Sequence, residues 1–118
     1  MGSLVSAKCK CGFTADTSVG GGRRNFGAVC EFPCLCTECQ SLVTVNLLTG
    51  NWICPSCGSS SILAYDTPSL SDQSSDVESA AWDISDKLGR RLILTRSQYL
   101  CPHCTKKTLR FELSGLFD

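Results

Sequence analysis

Apolar and polar positions alternate in some stretches of this chain and vanish in others. Residues 42–48, Leu42-Val43-Thr44-Val45-Asn46-Leu47-Leu48, are rich in β-branched side chains and read as a strand. Thr49-Gly50-Asn51 is a turn signal, and Trp52-Ile53 runs on into a cysteine pair. Strand, tight turn and strand predict a β-hairpin over 42–53. Ser61 to Tyr65 and Leu92 to Thr95 read as further short strands, and Gln98-Tyr99-Leu100 leads into another cysteine pair. Leu109, Phe111 and Leu113 alternate with polar residues, which predicts a strand over 108–113 with one buried face.

Two stretches are less regular. Ser75 with Glu78 three residues later has the form of a capping box, and Val77, Ala80, Ala81, Ile84 and Leu88 fall at helical spacing. Trp82-Asp83-Ile84 in the same stretch suits a strand, so both readings stay open for 75–88. Residues 20–27, with Gly20, Gly21, Gly22 and Gly27 around Arg23 and Arg24, read as a loop. This loop lacks the lysine of a P-loop, and no strand and helix flank it.

The chain has 118 residues, enough for one domain with a modest core, and modules of this size commonly need a staple. Ten cysteines supply the candidate. Eight form four close pairs: Cys9/Cys11, Cys36/Cys39, Cys54/Cys57 and Cys101/Cys104. Cys30 and Cys34 stand apart from these. The N-terminal residues have no apolar core of a secretory signal, and no stretch has the length of a membrane span. The expectation is a cytoplasmic protein away from membranes, in a reducing compartment where paired thiols bind metal. A disulfide framework gives no reason for such repeated close pairing.

Charge adds organisation. Lysine plus arginine and aspartate plus glutamate number eleven each. Residues 66–86 hold six acidic residues, no basic ones and many serines, which predicts a solvated insert. Residues 87–110 hold seven basic residues and no acidic one, a run on which the insert could dock. Each zinc with four thiolates would add about −2, which weakens any inference of nucleic-acid binding from bulk charge.

A knuckle with two residues between its cysteines presents two sulfurs to one ion, and two knuckles complete a tetrahedron. Cys36-x2-Cys39 and Cys54-x2-Cys57 are fourteen residues apart and enclose the predicted hairpin. The stretch from Cys36-Thr37-Glu38-Cys39 to Cys54-Pro55-Ser56-Cys57-Gly58 resembles the zinc-ribbon superfamily, and Cys-Pro-x-Cys-Gly is similar to a ribbon or rubredoxin knuckle. The first pair departs in having a single intervening residue, Lys10, though Gly12 follows it. Gln40 and Thr105 stand where glycine is expected after the second and fourth pairs. The whole chain also resembles, less closely, small bacterial proteins with two zinc ribbons. The resemblance implies metal binding far more than a particular role.

The resulting expectation is a small, metal-stabilised, mainly β protein with zinc-ribbon hairpins, two four-cysteine sites and room for one short helix. It forms a single domain over 1–118, with a central ribbon at 36–65. Residues 1–35 with 87–118 form a second module, and 66–86 is the insert. The expected zinc ligands are Cys36, Cys39, Cys54 and Cys57 at one site, and Cys9, Cys11, Cys101 and Cys104 at the other, two Zn2+ per chain. Rival schemes pair Cys9/Cys11 with Cys30/Cys34, or join consecutive pairs. Cys30 and Cys34 are expected to be buried packing residues, His103 an exposed turn residue, and Trp52 and Trp82 packing residues.

Closed four-cysteine sites favour a non-catalytic module whose surface binds an unidentified protein. A second reading is nucleic-acid binding through Arg90, Arg91, Arg96, Lys106 and Lys107, aided by Arg23 and Arg24. A third is a rubredoxin-like iron electron carrier, against which Gln40 counts. No nucleophile-and-base arrangement is visible and there is one histidine, so no enzyme activity is expected.

Overall fold

The computed structural model describes residues 2–21, 29–49, 51–83, 89 and 91–117. Arg23, Arg24, most of the glycine loop, Gly50, Ile84, Leu88 and Arg90 therefore lie outside the described residues. The elements are β1 (Gly2–Cys9), β2 (Thr14–Val19), β3 (Glu31–Cys36), β4 (Ser41–Asn46) and β5 (Ile62–Ala64), then a 3-10 turn at Pro68–Leu70. After it come β6 (Glu78–Asp83), β7 (Arg91–Thr95), β8 (Tyr99–Leu100) and β9 (Lys107–Phe117). They form three antiparallel sheets, ordered β2-β1-β9-β8, β4-β3-β5 and β6-β7. The fold is mainly β, as the alternation along 108–113 suggests.

The longest ladder joins the two ends of the chain. β1 runs antiparallel to β9 from Gly2↔Phe117 to Cys9↔Leu109, with a bulge near Leu4 and Val5. Val5, Ala7, Leu109 and Phe111 are buried on the inner face, and Lys8, Arg110 and Glu112 are exposed on the other. The strand expected at 108–113 is thus longer than its alternation indicated. The bulge breaks the period beyond Leu113, and Leu113 and Leu116 are exposed.

The predicted hairpin over 42–53 is not the one that forms. β4 pairs with β3, from Cys36↔Ser41 to Glu31↔Asn46, and the knuckle Cys36–Cys39 is itself the hairpin turn. Residues 52–54 form no strand. Trp52 returns to β4's end through its indole N–H, which donates to Leu47 O at 3.2 Å. The physical reason is length. Glu31–Cys36 offers β4 six paired positions, whereas two residues separate Asn51 from Cys54. β5 then pairs with the other side of β3 at Cys34–Cys36, which returns the second knuckle to the first. Pro33 is tolerated in this central strand because of where its nitrogen faces. Its carbonyl accepts from Tyr65 N–H just beyond the last rung with β5, and no donor is required of it there.

Within the stretch 75–88, residues 78–83 are strand and none of the described residues is helical. Ser75 Oγ accepts from Val77 N–H in a local turn. Glu78 reaches Arg91 at 2.8 and 3.0 Å instead of reaching back to Ser75. β6 pairs with β7 through Ala81↔Ile93 and Trp82↔Leu92. The acidic insert is accordingly tied to the chain after it. Asp72 Oδ1 accepts from Gln98 N–H at 3.0 Å, and Ser71 bridges Tyr99. Its charge is met in part by the basic run, at the Glu78–Arg91 pair.

One buried cluster draws on all three sheets. At its centre Tyr65, Tyr99 and Phe111 pack edge to face, with ring centroids 5.0 to 6.0 Å apart. Tyr65 is fully buried and its hydroxyl donates to Leu100 O at 2.8 Å. Burial, the first cause, raises the pKa of its hydroxyl above the usual tyrosine value, so it remains a neutral donor. Sheets also meet where Gly20 bridges Glu31 and where Thr17 Oγ1 lies 2.8 Å from Thr44 Oγ1.

Candidate metal centres

Each cysteine pair sits where a strand ends. Cys9 closes β1 and Cys11 follows in the turn to β2. Cys101 and Cys104 lie in the turn between β8 and β9. Because β1 and β9 are neighbours, these two turns meet at one end of the four-stranded sheet. Cys36 closes β3, Cys39 precedes β4, and the turn Cys54–Cys57 precedes β5 on β3's other side.

The sulfurs of Cys9, Cys11, Cys101 and Cys104 all lie within 4.8 Å of one another, as do those of Cys36, Cys39, Cys54 and Cys57. This is the nested grouping, with the central pairs enclosed by the terminal ones. Across the knuckles the separations are 3.7 Å for Cys9–Cys104, 3.8 Å for Cys11–Cys101, 3.6 Å for Cys36–Cys57 and 3.7 Å for Cys39–Cys54. A metal–sulfur bond of about 2.3 Å requires tetrahedron edges of about 3.8 Å. The four-sulfur sets therefore fit a tetrahedral thiophilic ion, and both are ribbon-like in arrangement.

The knuckles share a backbone device. The residue after each second cysteine has a positive φ: 98° at Gly12, 50° at Gln40, 75° at Gly58 and 60° at Thr105. In three of them the amide of that residue donates to the carbonyl of the first cysteine, at 3.1 Å from Gly12, 2.9 Å from Gly58 and 2.9 Å from Thr105. Glycine takes this conformation freely, whereas glutamine and β-branched threonine are strained in it. The two departures from the expected glycine thus preserve the geometry at an energetic cost.

Thiol ionisation reflects crowding. Hydrogen bonds from the backbone of Cys57 and then of Ser56 bring Cys54 down to about 6. Cys57 receives one from Ser59, yet burial and the sulfurs of Cys36, Cys39 and Cys54 push it up to about 12. At the other centre burial opposes ionisation of Cys9, but the amide of Cys11 and the hydroxyl of Thr108 outweigh it and bring the thiol to about 6. Burial pushes Cys101 up to about 12, reinforced by the sulfurs of Cys9 and Cys104. In each group some thiols ionise more readily than usual and others less, Cys104 being lowered along with Cys9, because sulfurs in contact repel once ionised. A divalent cation at the centre would remove that repulsion.

Thr108 is a residue the cysteine spacing gave no hint of. Its Oγ1 lies 3.0 Å from Cys9 Sγ and 3.6 Å from Cys104 Sγ, placed to donate to either sulfur. Cys30 and Cys34 join neither sulfur group and are fully buried. Burial pushes the Cys30 thiol up to about 11, so it behaves as an apolar core group. His103 is exposed within its knuckle, near-parallel to the Phe13 ring at a centroid distance of 6.4 Å. Trp52 and Trp82 are half-buried against the core. Arg91 is engaged by Glu78, while Arg96, Lys106 and Lys107 are exposed.

With sulfur at all four corners, neither centre has a vacant coordination position for water or substrate. Among the described residues, no helix is long and apolar enough to cross a membrane. No protein-family model, curated protein or solved structure matches the chain.

Proposed function

We propose that this chain is a non-catalytic zinc scaffold that presents an interaction surface to another macromolecule in a reducing, cytoplasmic setting. Two four-sulfur groups, each within 4.8 Å throughout and with cross-knuckle separations of 3.6 to 3.8 Å, support this reading. Zinc would be held by Cys36, Cys39, Cys54 and Cys57, and by Cys9, Cys11, Cys101 and Cys104. Zinc in such sites supplies folding energy rather than Lewis acidity. Each centre pins strand ends that are distant in sequence. A metal there limits the unfolded chain as well as bonding the folded one. The protein itself provides the positive-φ turns, the amides aimed at the first cysteine of the knuckles, and the Thr108 hydroxyl.

Elemental analysis of untagged, reduced protein tests this reading together with its visible spectrum. The expected result is two zinc per chain and no colour. Iron with visible absorbance would replace the scaffold by an electron carrier. Cys54→Ser should remove one equivalent and loosen the β3–β5 region, whereas Cys30→Ser should leave the metal content unchanged.

A further inference from the structure

The two centres share a ligand set and differ in what surrounds them. Of the seven described lysines and arginines, five are carried by the knuckles of the terminal centre and the strand ends beside them: Lys8, Lys10, Lys106, Lys107 and Arg110, all exposed, with Arg110 also lining a cavity beside Glu78 and Arg96. Lys10 stands between Cys9 and Cys11, and Lys106 and Lys107 leave the opposing knuckle. Lys8 and Arg110 are cross-strand neighbours one rung from Cys9↔Leu109. Glu112, 3.9 Å from Lys8, and Asp72, which feels Lys107, offset only part of this charge. The knuckles of the central centre contain no cation, and Glu38 sits in one of them. Four thiolates around zinc therefore do not by themselves require a ring of lysines here, because the central set is built without one.

The same surface carries rings. Phe13 follows the first knuckle and His103 sits in the fourth, near-parallel with interplanar angle 15°. His103 is exposed and Phe13 half-exposed. Cations that reach a phosphate backbone beside an exposed ring pair suit a polymer whose bases are free to stack. A duplex hides those base faces, and a chain of Asp and Glu alone carries no aromatic ring to stack on the pair.

We propose that the surface around the Cys9/Cys11/Cys101/Cys104 centre binds single-stranded nucleic acid, with these cations on phosphates and the Phe13–His103 pair against a base. This rests on the scaffold reading, since the metal would fix the two knuckles that bear the side chains. It differs from a reading of residues 87–110 alone. Lys8 and Lys10 come from the other end of the chain, and Arg91 is turned to Glu78 on another sheet.

The test uses the full-length, zinc-loaded protein with a short fluorescein-labelled single-stranded oligonucleotide followed by anisotropy. Zinc content is measured on every sample. Binding at low salt is expected, with the logarithm of affinity falling against the logarithm of salt by about 0.7 per phosphate neutralised, hence no more steeply than about 3.5 for five cations. Lys10→Glu with Lys106→Glu should weaken binding at least about ten-fold. Lys8→Gln with Arg110→Gln, further from the sulfurs, should weaken it and make the salt slope shallower. His103→Ala should weaken it roughly five-fold to a hundred-fold with the slope unchanged, as loss of a stacking partner does.

Zinc-loaded protein that does not retain the oligonucleotide at low salt overturns the proposal and leaves the scaffold reading standing. Equal affinity for duplex, or for polyglutamate with no response to His103→Ala, overturns it as well. Protein without zinc would instead remove the scaffold reading on which it rests.

Discussion

Gly20 is the point where the end of β2 passes beneath the β6–β7 sheet, and replacing it with alanine tests that packing directly. A Cβ built there would lie 2.3 Å from Trp82 Cε3, 2.5 Å from Cδ2 and 2.7 Å from Cζ3. Carbon atoms ordinarily approach to about 3.5–4.0 Å, so the indole must withdraw by more than about 1 Å. Overpacking of this kind costs about 1–3 kcal/mol. The backbone adds to this, because φ is +97° at Gly20 and an L side chain there costs about 1–2 kcal/mol. Together, Gly20→Ala should lose about 2–5 kcal/mol, a fall in Tm on the order of 10 °C for a chain of this length. Thermal unfolding of the zinc-saturated protein, followed by circular dichroism, measures it. The Trp82→Ala background separates the two causes, since the steric part vanishes and the φ part remains. A coupling of at least about 1 kcal/mol between the two substitutions is expected. Additivity within about 0.5 kcal/mol would refute the contact between Gly20 and Trp82.

Thr105→Gly should stabilise the protein by about 1 kcal/mol in chemical denaturation, because a β-branched residue is relieved of φ 60° with its knuckle bond intact. No gain in midpoint would contradict the strain assigned to Thr105. Tyr65→Phe keeps the edge-to-face packing but removes the hydroxyl donor to the part-buried Leu100 carbonyl, and should cost about 1 kcal/mol by the same assay. A neutral outcome would mean that Leu100 O finds another donor. Zinc retention should depend on pH with a definite sign. Cys9 and Cys54 are lowered from 9.0 to about 6, so their stabilising charge is fully present above 9 and lost as pH falls through about 6. Zinc release, read with a chromogenic chelator, should therefore set in only on acidification below about 6, because a bound divalent cation keeps the thiols ionised to lower pH than they manage alone, and release that did not change with pH would count against thiolate ligation.

What could be read in advance was mostly local. The four cysteine pairs are spaced as turns, and turns are decided by a few adjacent residues. The alternation of Leu109, Phe111 and Leu113 likewise marks a half-buried strand within its own window. β3 escaped notice because it is buried on both faces. Phe32-Pro33-Cys34-Leu35-Cys36 has no period, and its proline argues against a central strand until the rung it faces is known. β1 was hidden for another reason. Only Val5 and Ala7 mark its inner face strongly, and the strand that completes it lies over a hundred residues away. The hairpin over 42–53 was misplaced because β-branched residues show that β4 is a strand but not which neighbour it takes. The helical spacing in 75–88 failed where Glu78 found Arg91, a long-range partner that outweighed a capping contact.

The β1–β9 ladder also has a mechanical meaning. Gly2 and Phe117 are paired at one end of it, and the rung Cys9↔Leu109, beside the sulfurs, is at the other. Force applied between residues 2 and 117 would load the rungs one after another, as in opening a zipper, and not all at once in shear. Little tension is needed to part each pair. With a metal in the terminal centre the tear would then reach Cys9 and stop, because metal–sulfur bonds would hold the two strands there. The terminal centre is in this sense a rip-stop, which confines peeling to the sheet's open end and shields the core around Tyr65 from it.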